Sequence, residues 1–298
     1  MKNPPPHITV CICTCKRPRL LKKLLEKLGC QLTDGLFSYS MVVADNDSLE
    51  SARPIVDALR CGGPEIVYCV EPERNIARVR NTALRRARGE FVAFIDDDEF
   101  PEPNWLLALL SACKEHQSDG VLGPVRPFFE EEPPRWLVRG KFCERPEYPT
   151  GTLLDWRHTR TGNVLFKREI IQDIREPFRS QFGDGGEDND FFRRMMERGR
   201  IFTWCNEAAV SELVPPGRFT RTYQLRRALL RGQNQRHFAS WRSIAKSVAA
   251  CALYSIALPF LLFSGQSFFM QYLIRICDHM GALLATLGVK PMGDKYIH

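Results

Sequence analysis

Two clusters of acidic residues are the part of this chain best suited to chemistry. Asp96-Asp97-Asp98 stands directly after the apolar run 91–95. Three adjacent carboxylates at a strand end repel one another, and a fold tolerates them most readily where a cation sits among them. Mg²⁺ or Mn²⁺ held by one or two carboxylates, with phosphate oxygens completing the shell, is the arrangement that fits. An acidic loop capping the next helix would need fewer acids. The second cluster is Gly185-Gly186-Glu187-Asp188-Asn189-Asp190. Paired glycines let the backbone approach a ligand closely, and the acids then open a helix. Acids in a first helical turn are stabilising in themselves, so the local sequence supports a structural and a catalytic role equally.

Arg80 is the third candidate. It lies four residues after Ile76 and three before Ala83, on the border of a helix's apolar face, with Asn75 and Asn81 flanking it. An arginine so placed either reaches a carboxylate or phosphate, or snorkels to water. The histidines have no metal-ligand spacing, and there is no CxxC pair, GxSxG elbow or GxxxxGK[ST] loop. Structural zinc, serine-hydrolase and P-loop chemistry are thereby excluded.

These residues need a scaffold, and the first hundred positions describe one. Apolar runs at 8–13, 39–44, 66–70 and 91–95 are short and rich in β-branched residues, and helical patterns at 19–29, 52–59 and 75–88 separate them. Gly29 and Gly89 mark two of the helix ends. Apolar strands alternating with helices predict an α/β fold with a mostly parallel sheet covered on both faces. Ligands bind such sheets beyond the carboxyl ends of the strands. The polar residues there are Thr14 and Lys16, Asp45-Asn46-Asp47, Glu71, and the Asp96 triplet. Further on, a helix is expected over 105–116, substrate-binding loops over 124–160, a strand over 162–166, a helix over 191–198 and a strand over 200–210.

The chain has 298 residues, of which 44% are hydrophobic and 26% charged, enough for a sizeable core. Its net charge of +7 is local. No acid occurs between 213 and 277, where Arg218, Arg221, Arg226, Arg227, Arg231, Arg236, Arg242 and Lys246 crowd the earlier part. Without those eight, 34 basic residues face 35 acidic ones, which excludes a nucleic-acid binder with an all-basic surface. Eleven cysteines, three alternating at 11, 13 and 15, read as reduced thiols. The polar, proline-rich start carries no signal-peptide pattern. Residues 247–264 are eighteen without a charge, interrupted by Pro259, and a weaker apolar stretch, 268–289, contains Arg275, Asp278 and His279. Two buried helices would explain both stretches. The basic residues just upstream instead favour an anionic membrane surface.

Five segments carry a resemblance: ITVCICTCKRP from Ile8, VVADNDS from Val42, NIARVRNTALRRARGEFVAFIDDDEFPEPNWL from Asn75, GNVLFKRE from Gly162, and GGEDNDFF from Gly185. Over roughly residues 8–238 the chain resembles the family 2 inverting glycosyltransferases of GT-A type. It is most similar to bacterial exopolysaccharide glucosyltransferases of the succinoglycan type. GGEDND also resembles a segment of β-1,4-galactosyltransferases.

The resemblance implies a GT-A (Rossmann-like) catalytic domain over 1–238, with a nucleotide-binding half (1–100) and an acceptor-binding half (101–238). Apolar, membrane-associated helices would follow over 239–298. It implies that Thr14 and Asp45 meet the base and ribose of a UDP-sugar, and Arg80 the nucleotide or its diphosphate. Asp96 and Asp97 would belong to the nucleotide-sugar site, and Asp98 would ligate Mn²⁺ or Mg²⁺. Asp188 would be the general base and Glu187 would hold an acceptor hydroxyl. Gln224 and Arg227 partly match the QxxRW element of processive relatives. Ala228 stands in place of its Trp, which argues against processive synthesis. Glu212 takes the place of a late metal-binding His. The implied activity is transfer of a hexose, glucose above others, from a UDP-sugar to a lipid-linked glycan on the cytoplasmic face of the inner membrane. A nucleotidyltransferase sharing the acidic metal site, and an inactive membrane-anchored sugar-nucleotide binder, are the alternatives.

Overall fold

The computed structural model describes residues 4–60, 62–183, 185–234, 240–261, 263 and 265–289. The expected boundary between 238 and 239, Arg236 and Cys61 lie outside the described residues. The chain forms two compact units, residues 1–126 with 145–212 and residues 127–144 with 213–298.

The strands, in chain order, are β1 (His7–Thr14), β2 (Ser38–Asp45), β3 (Ile66–Val70), β4 (Phe91–Asp96), β5 (Glu99–Pro101), β6 (Gly120–Leu122), β7 (Val125–Phe128), β8 (Val164–Lys167), β9 (Phe202–Trp204) and β10 (Val210–Leu213). The helices are α1 (Pro18–Leu28), α2 (Arg53–Leu59), α3 (Ile76–Arg86), α4 (Trp105–Glu115), α5 (Arg135–Arg139), α6 (Glu187–Glu197), α7 (Arg221–Asn234), α8 (Trp241–Leu261) and α9 (Gln266–Thr286).

The first unit is built on a sheet of order β3-β2-β1-β4-β8-β6-β9, with β5 and β10 in a smaller one. β1 runs parallel to β2 and β4, β2 to β3, and β6 to β9; β8 is antiparallel to both neighbours. The sheet is mostly parallel, as the alternating pattern predicts. β1, β2 and β4 are buried along most of their length, which is why their sequences are apolar on both faces. Register then decides the site. Thr14 pairs with Asp45, and Cys13 with Asp96, so all three strands deliver polar groups to one sheet edge.

Helix ends follow local chemistry. α1 starts at Pro18, buries Leu21, Leu24, Leu25 and Leu28, and ends at Gly29, whose φ of −64° makes no use of glycine's left-handed freedom. Asn75 caps α3 by accepting from the Arg78 N–H at 3.0 Å. Trp105 anchors α4 through an indole N–H donated to the Asn163 side chain at 2.7 Å. Phe94, Phe178, Phe191 and Phe192 pack at ring distances of 4.7–5.7 Å beneath α6; such pairs contribute about 0.5–1.5 kcal/mol each beyond their burial.

Three expectations are corrected. The single strand over 200–210 is two, β9 and β10, because residues 206–208 turn between them. The loop region 124–160 contains β7 and α5. Helix 191–198 starts earlier, at Glu187, because Gly186 turns the chain in at a left-handed φ of 89°.

The second unit is helical. α7 lies so close to α9 that a Cβ on Gly232 would collide with the Asp278 carbonyl, and one on Gly281 with that of Leu229. Asp278 and His279 are consumed inside this unit, by Arg231 (2.8 and 2.5 Å) and by the Ser247 hydroxyl (3.1 Å). α8 is different. It is 21 residues long with a mean hydropathy of 1.7 in its most apolar window, only 6% of which is buried. It is long and apolar enough to cross a membrane, and suits a membrane-associating tail. Pro259 sits within its last turn rather than ending it.

Candidate functional site

The Asp96 triplet opens where β4 ends, and its members face different surroundings. The Thr14 hydroxyl donates to Asp97 Oδ2 at 2.7 Å, and Arg17 Nη1 lies 3.0 Å from Asp97 Oδ1 and 3.2 Å from Asp98 Oδ2. Burial pushes the Asp97 carboxyl up to about 6, against the pull of the Arg17 guanidinium. The Asp97 and Asp98 side chains are 6% and 11% exposed, that of Asp96 48%. Asp96 is therefore the acid that opens to solvent. Asp45, by contrast, is fully buried and accepts from the Ala52 N–H (2.8 Å), the Asp47 N–H (3.0 Å) and the Tyr68 hydroxyl (2.9 Å). Burial raises its carboxyl above the ordinary value despite those donors.

Arg80 joins this strand end to the second cluster. It is buried, with one Nη paired to Glu187 Oε1 and the other 3.7 Å from Asp96 Oδ1. The position at the edge of the apolar face is thus an ion-pairing one, not a snorkelling one. Glu187 Oε2 is buried and has no hydrogen-bond partner among the described residues. Asp188, beside it, is half-buried and, among the described residues, accepts only a local bond from the Asn189 N–H at 2.8 Å. Asp190 is taken by Arg179 and by Arg194 at 2.9 Å, so it secures α6. Of this acidic run, Asp188 and one oxygen of Glu187 remain for a ligand.

Of a third group the sequence reading named only Glu212; Glu99, Arg145 and Arg160 were missed. Glu99 and Glu212 stand opposite one another in register between β5 and β10, both buried. Arg145 pairs with Glu212 and comes within 3.9 Å of Glu99. Burial, reinforced by Asp96, raises the Glu99 carboxyl well above its usual range. Burial presses Arg160 down to about 10, with Arg145 adding to it while Glu99, Glu212 and Asp188 pull back. Gly162 presses against the same acids: a Cβ there would meet Glu99 Oε1 at 2.6 Å and Asp96 Oδ2 at 3.0 Å.

The structure brings together Thr14, Arg80, Asp96, Asp97, Asp98, Glu187, Asp188 and Glu212 within the first unit. Gln224 and Arg227 belong to α7 in the second, where the Gln224 amide donates to the Arg218 carbonyl at 2.8 Å. The donor set at β4 is all carboxylate, the type Mg²⁺ and Mn²⁺ prefer. Among the described residues no three His, Cys, Asp or Glu side chains converge on one point. What fits is a cation held by one or two of these acids, with ligand oxygens supplying the rest.

Residues 9–175 match the family described as glycosyl transferase family 2. The succinoglycan biosynthesis protein ExoM of Rhizobium meliloti (strain 1021) is 31% identical over 301 residues, covering 97% of this chain and 96% of ExoM. The chain belongs to glycosyl transferase family 2. Among solved structures, the 1–349 fragment of S. aureus TarS in complex with UDP superposes with a TM-score of 0.55 at 18% identity, covering 95% of this chain and 90% of that one. The Pyrobaculum calidifontis mannosyltransferase PcManGT, in complex with GDP-Man and Mn²⁺, gives 0.57 at 17% identity, over 97% and 77%. Both share the GT-A fold with this glycosyltransferase. Family membership sets the nucleotidyltransferase alternative aside.

The glycosyltransferase's thiols agree with the sequence reading: every described cysteine is free. Burial pushes the Cys13 thiol, beside Arg80, up to about 12, so it stays protonated and inert.

Proposed function

We propose that this glycosyltransferase moves a hexose, glucose from UDP-glucose, onto a hydroxyl of a lipid-linked glycan in exopolysaccharide synthesis, inverting the anomeric centre. One observation carries the reading: the buried Oε2 of Glu187, without a partner among the described residues, next to Asp188, with Arg80 fastening Glu187 and facing Asp96. A buried acceptor without a donor costs about 1–3 kcal/mol, and an incoming hydroxyl proton donor offsets that cost.

In this account Glu187 holds one hydroxyl of the acceptor sugar, and Asp188 takes the proton of the neighbouring hydroxyl that attacks. The acceptor oxygen forms its bond to the anomeric carbon from the face opposite the diphosphate. The carbon–oxygen bond to the diphosphate breaks, and UDP leaves with the electron pair. An α-linked donor gives a β-linked product. Thr14 and Asp45 organise the nucleoside end; with both Asp45 oxygens held by the protein, its contribution is to shape the loop that meets the base. Asp96 and Asp97 line the nucleotide-sugar site, and Asp98 would hold Mn²⁺ or Mg²⁺. That cation would supply charge neutralisation at the departing diphosphate. Glu212, Gln224 and Arg227 are assigned to the diphosphate or acceptor, and residues 1–238 to the catalytic domain. The apolar α8, with Arg242 and Lys246 in its first turns, supports attachment to an anionic membrane at its cytoplasmic face.

Titration calorimetry with Mn²⁺ across UDP-, GDP- and dTDP-sugars tests the donor. UDP-glucose should bind most tightly. Preference for a GDP- or dTDP-sugar would overturn the assignment.

A further inference from the structure

The second unit holds a cavity that the donor site does not use. It measures about 300 Å³ and is lined by Arg135, Trp136 and Arg139 from α5 and by Gln266, Phe268 and Gln271 from α9. α5 is pinned there by its backbone: Ser267 Oγ donates to the Trp136 carbonyl at 3.2 Å, and Gln271 Nε2 to that of Gly140 at 3.3 Å. Arg221 adds a third cation, its guanidinium 5.8 Å from the Trp136 ring and its Nη2 donating to Gln266 Oε1 at 2.9 Å.

The charge is one-sided. Among the described residues no acidic one lines the cavity. Among the described residues neither Arg135 nor Arg139 has a carboxylate within salt-bridge reach, although most arginines of the first unit do. These two stand four residues apart, a spacing at which like charges on a helix repel. A planar guanidinium pair matches phosphoryl oxygens.

Exposed aromatics accompany the charge. Phe268, on the cavity wall, is 54% exposed, and Phe260 and Phe263, shortly before Gly265 in sequence, are 72% and 93% exposed. A free phosphate or nucleotide has no use for such aromatics. A lipid with a phosphorylated head does.

Resting on the lipid-linked acceptor reading, we propose that this cavity binds the diphosphate head of the isoprenoid that carries the acceptor glycan, with the hydrocarbon lying along the exposed aromatics. Arg135, Arg139 and Arg221 would hold the phosphoryl oxygens, and Trp136 the first isoprene unit.

The test is co-sedimentation of the full chain, without any nucleotide sugar, on phosphatidylcholine vesicles doped with a long-chain isoprenyl diphosphate. A second set carries phosphatidylglycerol at matched charge. The wild type should partition more strongly onto the diphosphate vesicles, and R135Q/R139Q should weaken that by on the order of tenfold or more. Both positions are exposed, so the variant should melt with the wild type; R139E alone provides a second, independently folded reading. Unchanged partition of the folded variants would overturn the proposal. So would equal losses on both vesicle types, which would make the arginines a general anionic-surface contact. Soluble pyrophosphate at millimolar concentration should compete only weakly, because it leaves the exposed aromatics uncovered; full competition would assign the cavity to a free anion instead. UDP-sugar calorimetry on the same variants reads the functional assignment separately and should not change.

Discussion

Arg80 and Glu187 are 107 positions apart in sequence and form a buried ion pair whose other edge faces Asp96 at 3.7 Å. This one guanidinium ties the carboxyl end of β4 to the helix that carries Asp188. Buried charge pairs add little net stability, but removing one partner is costly. Arg80→Met should therefore lower unfolding free energy by roughly 3–5 kcal/mol, and Glu187→Gln should restore part of the loss in the double variant. Denaturant titration of the single and double variants measures this; additive losses would show that the pair is not coupled.

Asp98 is the acid assigned to the cation. EDTA should weaken UDP binding to the wild type at least about tenfold, whereas Asp98→Asn should bind UDP weakly with or without EDTA. Calorimetry at fixed ionic strength decides it. UDP binding by the wild type that is indifferent to EDTA would remove the cation from the account.

Asp45 is held by three protein donors, so Asp45→Asn should cost about 1–3 kcal/mol as an amide N–H₂ replaces an acceptor. The pH dependence has a definite sign. Burial raises this carboxyl, so the native state binds its proton more tightly than the unfolded chain, and ionisation costs stability. That cost is absent below the unfolded value of about 3.9 and complete above the raised native one. The stability gap between wild type and variant should accordingly be widest in acid and narrow towards neutral pH. Thermal melts across that range would contradict this by showing a widening gap.

The division between what was legible and what was not follows sequence separation. β1 to β4 could be read because strands buried on both faces are continuously apolar, and their register puts Thr14, Asp45 and Asp96 together automatically. The left-handed turn at Gly186, which starts α6 at Glu187, was read from the sequence only as room for a ligand. Arg17 on Asp97 and Asp98, 80 and 81 positions away, and Arg145 on Glu212, 67 away, leave no local trace, since a pairing made by folding imposes no periodicity. Glu99 drew no reading from the sequence, and only the β5–β10 register shows it facing Glu212.

Membrane attachment through α8 can be tested by substitution. Truncation at 238 would strip α9 from α7 and expose the surface they share around Gly232 and Gly281. Substituting the open face of α8 avoids that: Leu253, Ile256 and Phe260 are 64%, 69% and 72% exposed. L253Q/I256Q/F260Q should remain folded and fail to float with anionic liposomes at high salt, where charge attraction is screened and the apolar contribution is not. Flotation of the wild type only at low salt would assign attachment to the arginines instead.

In the proposed reaction Asp188 takes the acceptor proton while the rest of the site binds the donor. Single-turnover transfer from UDP-glucose to a lipid-linked acceptor, measured for wild type and Asp188→Asn beside UDP-glucose calorimetry, tests it most directly. The variant's rate should be lower by roughly 10²–10⁴-fold with donor affinity unchanged. Transfer at the wild-type rate by a variant that binds donor normally would contradict it and place the base elsewhere, with Glu187 first in line.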